Sequence, residues 1–334
     1  MKNFKRLFLI AWVALTATGC SVNSPLGQIV MSGDFPDYQL YTYDFASQEL
    51  KSMGIPSRGD NHAWSPDYTQ VVHDCYIDQQ TNLCLSSRDG LTTEILLKSD
   101  HSYGRSFRSW ATWTPDGKGI TFVTTPPVPW DENDRATLYT VNVQTKEVVQ
   151  LIDLPNNLGY VSALAWISED ELLIGLTENI HTGHILVWDT QTWTPRKLAE
   201  GLYPTWSPDA KRIAYHRHSA CLSEQACFTK SPDKDTFRPL YSSRFDIFTI
   251  DPEGREETLV LNTFDLPDQT ICPASFGFAW SPDGRYLAFT EACGESDPGD
   301  LYILRVADGH VERIIEDIGI FPHVLSWIGI LPKQ

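Results

Sequence analysis

Two histidine pairs and one acidic cluster are the residues whose types and spacing could do chemistry. His181 and His184 fall in a short polar stretch between two apolar runs, and His216 and His218 lie two apart at the end of another run. Residues two apart on a strand project to one side, so each pair could present two imidazoles to a divalent cation. Polar loop histidines with no ligand fit the same pattern. Asp131, Glu132 and Asp134 follow Trp130, a run that suits a cation, a basic peptide or a solvated loop. Phe237, Glu295 and Asp297 lie in other irregular segments, and with Trp130, Asp131, Glu132 and Asp134 they form the candidate partner contacts. No Gly-x-Ser-x-Gly elbow, Walker loop, His-Glu-x-x-His helix or dinucleotide glycine pattern occurs. Serine-hydrolase and nucleotide chemistry are therefore not expected.

The elements that must carry these residues announce themselves by repetition. AWSPDGRYLAFT at 279–290 has close relatives at 63–73, 112–122, 165–175 and 205–215, and a worn copy, SWIGI, at 326–330. Each reads as a β-hairpin: Trp ends one strand, Ser-Pro-Asp-Gly turns the chain, and an alternating apolar run returns. An aliphatic residue stands seven places after the Trp at Val71, Ile120, Leu173, Ile213 and Leu287. Within this pattern Asp67, Asp116, Asp209 and Asp283 are turn-formers, not catalytic carboxylates. A second repeat reads as third strands beginning at Leu40, Leu83, Leu138, Ile185, Ile247 and Leu301.

The six Trp anchors at 64, 113, 166, 206, 280 and 327 are spaced by about fifty residues, which is the four-stranded period of a propeller blade. The expected fold is all-β: a six-bladed β-propeller with four antiparallel strands per blade. The chain opens on a third-strand copy before any anchor and closes on an anchor with no third strand after it. One blade is therefore shared by both termini, with the segment around Trp327 as inner strand and Gln28 to Ser52 supplying the other three. The hairpins resemble those of the TolB-like, or WD40-like, six-bladed propellers of bacterial envelopes, over nearly all of the chain after residue 27. The resemblance implies the fold and leaves activity open, because propellers host scaffolds, lyases and cyclases alike. TolB itself carries an α/β domain ahead of its propeller, for which residues 1–27 leave no room, so a direct Tol-system role is not expected.

Lys2, Lys5 and Arg6, the apolar run Leu7 to Leu15 and the small residues Ala17-Thr18-Gly19 before Cys20 resemble a bacterial lipoprotein signal, with Ala17 in place of the usual Leu. The apolar run is too short to span a bilayer. That reading divides the chain into a signal peptide at 1–19, a tether at 20–27 beginning with lipidated Cys20, and the propeller at 28–334. An ordinary secretory signal is the alternative. Ser21 in place of Asp favours the outer membrane, facing the periplasm, if the host has two membranes.

Seven cysteines less Cys20 leave six, an even number suited to an oxidising compartment. Counting outward from the Asp283-Gly284 turn sets Trp280 opposite Tyr286 and brings Cys272 within one residue of facing Cys293. Cys75 and Cys84 flank a loop between second and third strands, and Cys221 and Cys227 share one insertion. The expected bridges are Cys75–Cys84, Cys221–Cys227 and Cys272–Cys293. The formal charge is −17 and grows more negative once Lys2, Lys5 and Arg6 are removed. Nucleic acid and anionic lipid are therefore poor partners, whereas a basic protein face is compatible.

In a propeller the Trp-hairpin turns lie on one face, and the loops from second to third strands and from fourth strands to the next blade lie on the other. The long segments around Thr125 to Glu132, Arg217 to Arg244, Thr263 to Ser275 and Glu291 to Asp300 all belong to that second face, as do the three expected disulfides. The function expected is a non-enzymatic exported lipoprotein, a monomer needing no cofactor, that binds an envelope protein or peptide through its loop-rich face and touches the membrane only through its anchor. The alternative is a metal-assisted lyase or hydrolase acting on a saccharide or small substrate at the central channel. It would use a divalent cation held by His181, His184, His216 and His218.

Overall fold

The structure, a computed structural model, describes residues 27–33, 38–57, 62–77, 80–98, 110–124, 136–154, 160–178, 182–218, 228–230, 237–239, 245–262, 277–291, 299–318 and 322–329. Every regular element among them is a strand. Blade 1 contains β1 (Gln28–Gly33), β2 (Gln39–Asp44) and β3 (Glu49–Pro56). Blade 2 is β4 (His62–Trp64), β5 (Gln70–Ile77), β6 (Gln80–Ser87) and β7 (Thr93–Leu97). Blade 3 is β8 (Ala111–Trp113), β9 (Gly119–Thr124), β10 (Thr137–Asn142) and β11 (Val148–Asp153). Blade 4 is β12 (Tyr160–Trp166), β13 (Glu171–Thr177), β14 (Gly183–Asp189) and β15 (Thr194–Glu200).

In blade 5, β16 (Leu202–Trp206) and β17 (Ile213–His218) come first. A separate two-stranded hairpin, β18 (Phe228–Lys230) with β19 (Phe237–Pro239), is inserted before β20 (Phe245–Ile250) and β21 (Thr258–Leu261). Blade 6 is β22 (Ala279–Trp280), β23 (Tyr286–Glu291), β24 (Asp300–Arg305) and β25 (His310–Ile315). The last described strand, β26 (Pro322–Ile328), returns to blade 1, giving the order β26-β1-β2-β3. Ile29 faces Trp327 and Met31 faces Leu325 across that junction. The six inner strands neighbour one another in sequence around the axis, from β26 through β4, β8, β12, β16 and β22 back to β26. The ring closes as the repeat order predicts.

The turn chemistry recurs at four of the five Trp-anchored hairpins among the described residues. Ser65 Oγ donates to Asp67 Oδ1 at 2.6 Å and accepts the Gln70 amide at 3.0 Å, while Asp67 Oδ1 accepts the Thr69 amide. The same pattern holds at Thr114-Asp116, Ser207-Asp209 and Ser281-Asp283. The hydroxyl donors hold the carboxyls of Asp67, Asp116 and Asp209 below the usual carboxylate range. The residue after each Asp is left-handed, with φ of 57° at Tyr68, 68° at Gly117, 56° at Ala210 and 68° at Gly284.

Two details of register differ from expectation. Trp280 pairs with Leu287, not Tyr286, because the six-residue turn places Ser281 opposite Tyr286. Trp64, Trp113 and Trp206 likewise pair with Val71, Ile120 and Ile213. In blade 4 the turn lacks Pro and is one residue shorter, so Trp166 pairs with Leu172 and Leu173 faces Ala165.

Each blade seam encloses its own apolar cluster. Ile29, Met31, Ala288, Ile303 and Trp327 fill the seam between blades 6 and 1, and Val30, Leu40, Ile55, Val71 and Ile328 fill that between blades 1 and 2. The indoles stitch seams together: Trp113 Nε1 donates to Ala63 O at 3.0 Å, and Trp280 Nε1 to Thr205 O at 3.2 Å. A hydrogen-bonded indole can be buried without an orphaned donor, as at Trp113 and Trp280, whereas Trp64 Nε1 and Trp206 Nε1 are buried with no hydrogen-bond partner among the described residues.

Candidate functional site

Strand direction sorts the chain onto two faces. Inner strands run toward the tight Pro-Asp turns, so the opposite face collects the starts of inner and third strands and the ends of second and fourth strands. On that loop-rich face lie the strand ends that flank the undescribed segments, and the disulfide between Cys75 of β5 and Cys84 of β6, whose Cα atoms are 5.8 Å apart.

Aromatic rings gather at the inner-strand starts on this face. Trp110 precedes β8, Tyr203 lies in β16 and Phe278 precedes β22. The Trp110 and Tyr203 centroids are 6.5 Å apart, linking blades 3 and 5. His216 of β17 packs edge-on against Tyr203 at 5.2 Å and against Phe278 at 5.8 Å, which extends the cluster to blade 6. His216 is 3% exposed, so it serves as a member of this packed group.

Tyr203 sits in a strained backbone. Its φ is 49°, a left-handed conformation that costs a bulky residue roughly 1–2 kcal/mol. The strain belongs to a bulge between Leu202 and Thr205 that directs Pro204 at Gly175 of blade 4. A Cβ on Gly175 would lie 2.6 Å from Pro204 Cδ, so only glycine permits the approach that holds Tyr203 at the rim.

The exposed aromatic residues among those described are Tyr38, Tyr76 and Tyr160, at 43%, 47% and 53% exposure. Tyr38 precedes β2, Tyr76 is the penultimate residue of β5 and Tyr160 begins β12, so all three lie on the loop-rich face. Acidic groups at the same edge include Glu178, Glu200 and Asp246. Glu178 Oε1 is 2.8 Å from His184 Nε2.

Of the four candidate histidines, the side chains of His184 and His216 are described, and they face different seams. By strand alternation His184 faces the seam of Leu186, between blades 3 and 4, and His216 faces that of Ala214, between blades 5 and 6. No group of three His, Cys, Asp or Glu side chains among the described residues is arranged to hold a metal ion. His181, Trp130, Asp131, Glu132, Asp134, Glu295, Asp297, Cys20, Cys221, Cys227, Cys272 and Cys293 lie outside the described residues. His218 ends β17 and Phe237 begins β19, and only their backbones are described.

Motif reading missed the aromatic rim, although its signal is present: a ring stands two or three places before four of the Trp anchors, at His62, Trp110, Tyr203 and Phe278.

No protein-family model matches the chain, and no curated protein matches it. Solved structures do. TolB from Acinetobacter baumannii aligns with a TM-score of 0.61 at 15% identity, covering 90% of this chain and 66% of that one. This chain has a TolB-like propeller fold. It spans about two thirds of that TolB chain. A chain of a nidogen/laminin complex aligns with a TM-score of 0.61 at 9% identity, covering 90% of this chain and 97% of that one. An oligogalacturonate lyase in complex with manganese gives 0.52 at 14%, covering 85% and 77%. At these identities the likeness is one of fold, which leaves function to be argued from the residues.

Proposed function

We propose that this TolB-like propeller is an exported, lipid-anchored envelope protein, non-enzymatic, that binds a protein or peptide partner through its loop-rich face. The observation that carries the reading is the placement of Tyr38, Tyr76 and Tyr160, all on that face around the Trp110–Tyr203–Phe278 rim. Tyrosine supplies large, stiff contact area with a polar tip and is enriched where proteins recognise proteins. The acidity of the chain and of this edge selects a partner that presents Lys or Arg. Protein partnership in a propeller of this shape, in the nidogen/laminin complex, supports it. Lipidation at Cys20 would hold the propeller at a membrane surface while the face remains available.

The test is affinity capture from envelope extracts with the purified chain. A Tyr38→Ser/Tyr76→Ser/Tyr160→Ser variant is expected to lose a specific partner, whereas a Lys118→Ala/Lys211→Ala variant on the turn face keeps it. Equal capture by both variants would remove the reading.

The second reading is a metal-assisted enzyme on a saccharide, for which the fold shared with the manganese-bound lyase is the supporting observation. Metal analysis of the purified chain, with thermal shifts in divalent cations, separates the two: a stoichiometric bound metal is expected only under the second.

A further inference from the structure

The seam between the split blade and blade 2 has a polar half. Val30, Ile55, Val71 and Ile328 pack in its apolar half, with Trp64 against them. Strand alternation therefore turns Ser32, Ser57, His73, Ser326 and His62, each two residues from one of these and nearer the loop-rich end, into the same seam. Ser32, Ser57, His62 and His73 are 1%, 2%, 4% and 0% exposed.

His62 Nε2 lies 2.9 Å from Ser326 Oγ, a bridge from blade 2 to the last described strand of the chain. His73, paired with His62 across β4 and β5, is held by Asp74 O at 3.2 Å and Ser86 Oγ at 2.8 Å, and Ser86 Oγ continues to Thr93 Oγ1 at 2.7 Å. Ser32 Oγ, Ser57 Oγ and His62 Nδ1 are buried without a hydrogen-bond partner among the described residues. A second proton on His62 would thus meet no described acceptor and a neighbouring imidazole.

The other titratable or charged groups around this seam do not relieve that. Cys75 and Cys84 share its side of blade 2 but are bridged. Asp74 and Tyr76 alternate to the opposite side of β5. Arg88 and Tyr68 stand at the turn end, with the Arg88 guanidinium 6.0 Å from the Trp64 ring. From blade 1, the described side chains that face it are hydroxyl or apolar, and the Pro56 backbone hydrogen-bonds His73, an effect that burial outweighs.

We propose that this seam is a proton-sensitive fastening of the ring, so that acid opens the propeller between its split blade and blade 2 in preference to the other seams. Burial, with the His73 charge adding to it, holds His62 at about 3, and burial holds His73 at about 4, against an ordinary 6.5. Opening returns both imidazoles to water, where they bind protons that the closed seam excludes. The closed state is therefore fully favoured above about pH 6.5 and loses ground as pH falls toward 4. Between pH 7.5 and 5 each imidazole raises the opening equilibrium about 30-fold, and the pair about 1000-fold.

Hydrogen exchange on the full chain reads this directly, because β26 and β4 have a hydrogen-bonded neighbour on one side only. After correction for the intrinsic pH dependence of exchange, protection of β26 and β4 is expected to fall about 1000-fold from pH 7.5 to 5, and that of β12 in blade 4 less than tenfold. His62→Gln reduces the fall to about 30-fold, and adding His73→Gln abolishes it. Should those variants fail to fold, Ser326→Ala lowers β26 protection at pH 7.5 while keeping the full pH dependence. Equal loss in all blades, or β26 protection that does not change with pH, overturns the proposal.

Discussion

Arg88 offers a direct test of how the ring is fastened. It lies in the turn between β6 and β7, and its guanidinium reaches both ends of the described chain. Nη2 donates to Gln28 Oε1 at 2.8 Å, and both terminal nitrogens approach Gly329 O at 3.4 Å. Gln28 is in turn held by its amide to Asp44 Oδ2 at 3.0 Å. Arg88→Met keeps the apolar stem against Trp64 and removes the fork. A short hydrogen bond from a charged donor contributes about 1.5–2 kcal/mol, and the long contacts and ring stacking add roughly 0.5 kcal/mol. Hydration regained by a half-buried cation offsets part of this, leaving a net loss of about 1.5 kcal/mol. Urea unfolding followed by tryptophan fluorescence should show it as a lower midpoint at unchanged slope. Arg285→Met, which removes an exposed ion pair with Asp283, should leave the midpoint nearly unchanged. If Arg88→Met behaves like Arg285→Met, the terminal segments are not held through Arg88 and the argument fails.

Two further outcomes follow from the local chemistry. Replacing Cys75 and Cys84 by Ala removes a bridge across nine positions of sequence. Chain-entropy reasoning puts the cost at about 2.5–3 kcal/mol, measurable as a difference in unfolding free energy, and an unchanged value would mean that the bridge constrains nothing the strands do not. Ala210→Gly should stabilise by roughly 0.5 kcal/mol, because a φ of 56° burdens Ala more than Gly. A lowered melting temperature would contradict that.

The fold was legible because its strongest local signal recurs in phase. Five anchored hairpins and a sixth, lone anchor define six sheets, and the order of the two repeats reveals the shared blade. Register was legible to within one residue. Counting from the Gly284 turn misplaced Tyr286, since the Ser281 hydroxyl, bonded to the Tyr286 amide at 2.9 Å, wraps one more residue into the turn than a tight hairpin would. The polar seam and the aromatic rim were far less visible. Ser32, Ser57, His62, His73 and Ser326 are scattered from one end of the sequence to the other, and only strand alternation within a closed ring brings them into one seam. Tyr203 gave no sign of its left-handed backbone, because the bulge that imposes it depends on Pro204 meeting Gly175 in the preceding blade. Spacing pairs His181 with His184 and His216 with His218, and only the closed ring shows that His184 and His216 face seams two apart.

The partnership of β26 with β1 sets the timetable of synthesis. β1 to β3 emerge from the ribosome first but lack an inner neighbour until residues 322–328 follow. At ordinary elongation rates that is a wait of roughly 15–60 s. Throughout it, the inner edge of β1, with Ile29, Val30 and Met31 later wholly buried, is open to any passing strand. A cell making this protein must shelter that edge until residues 322–328 have been made.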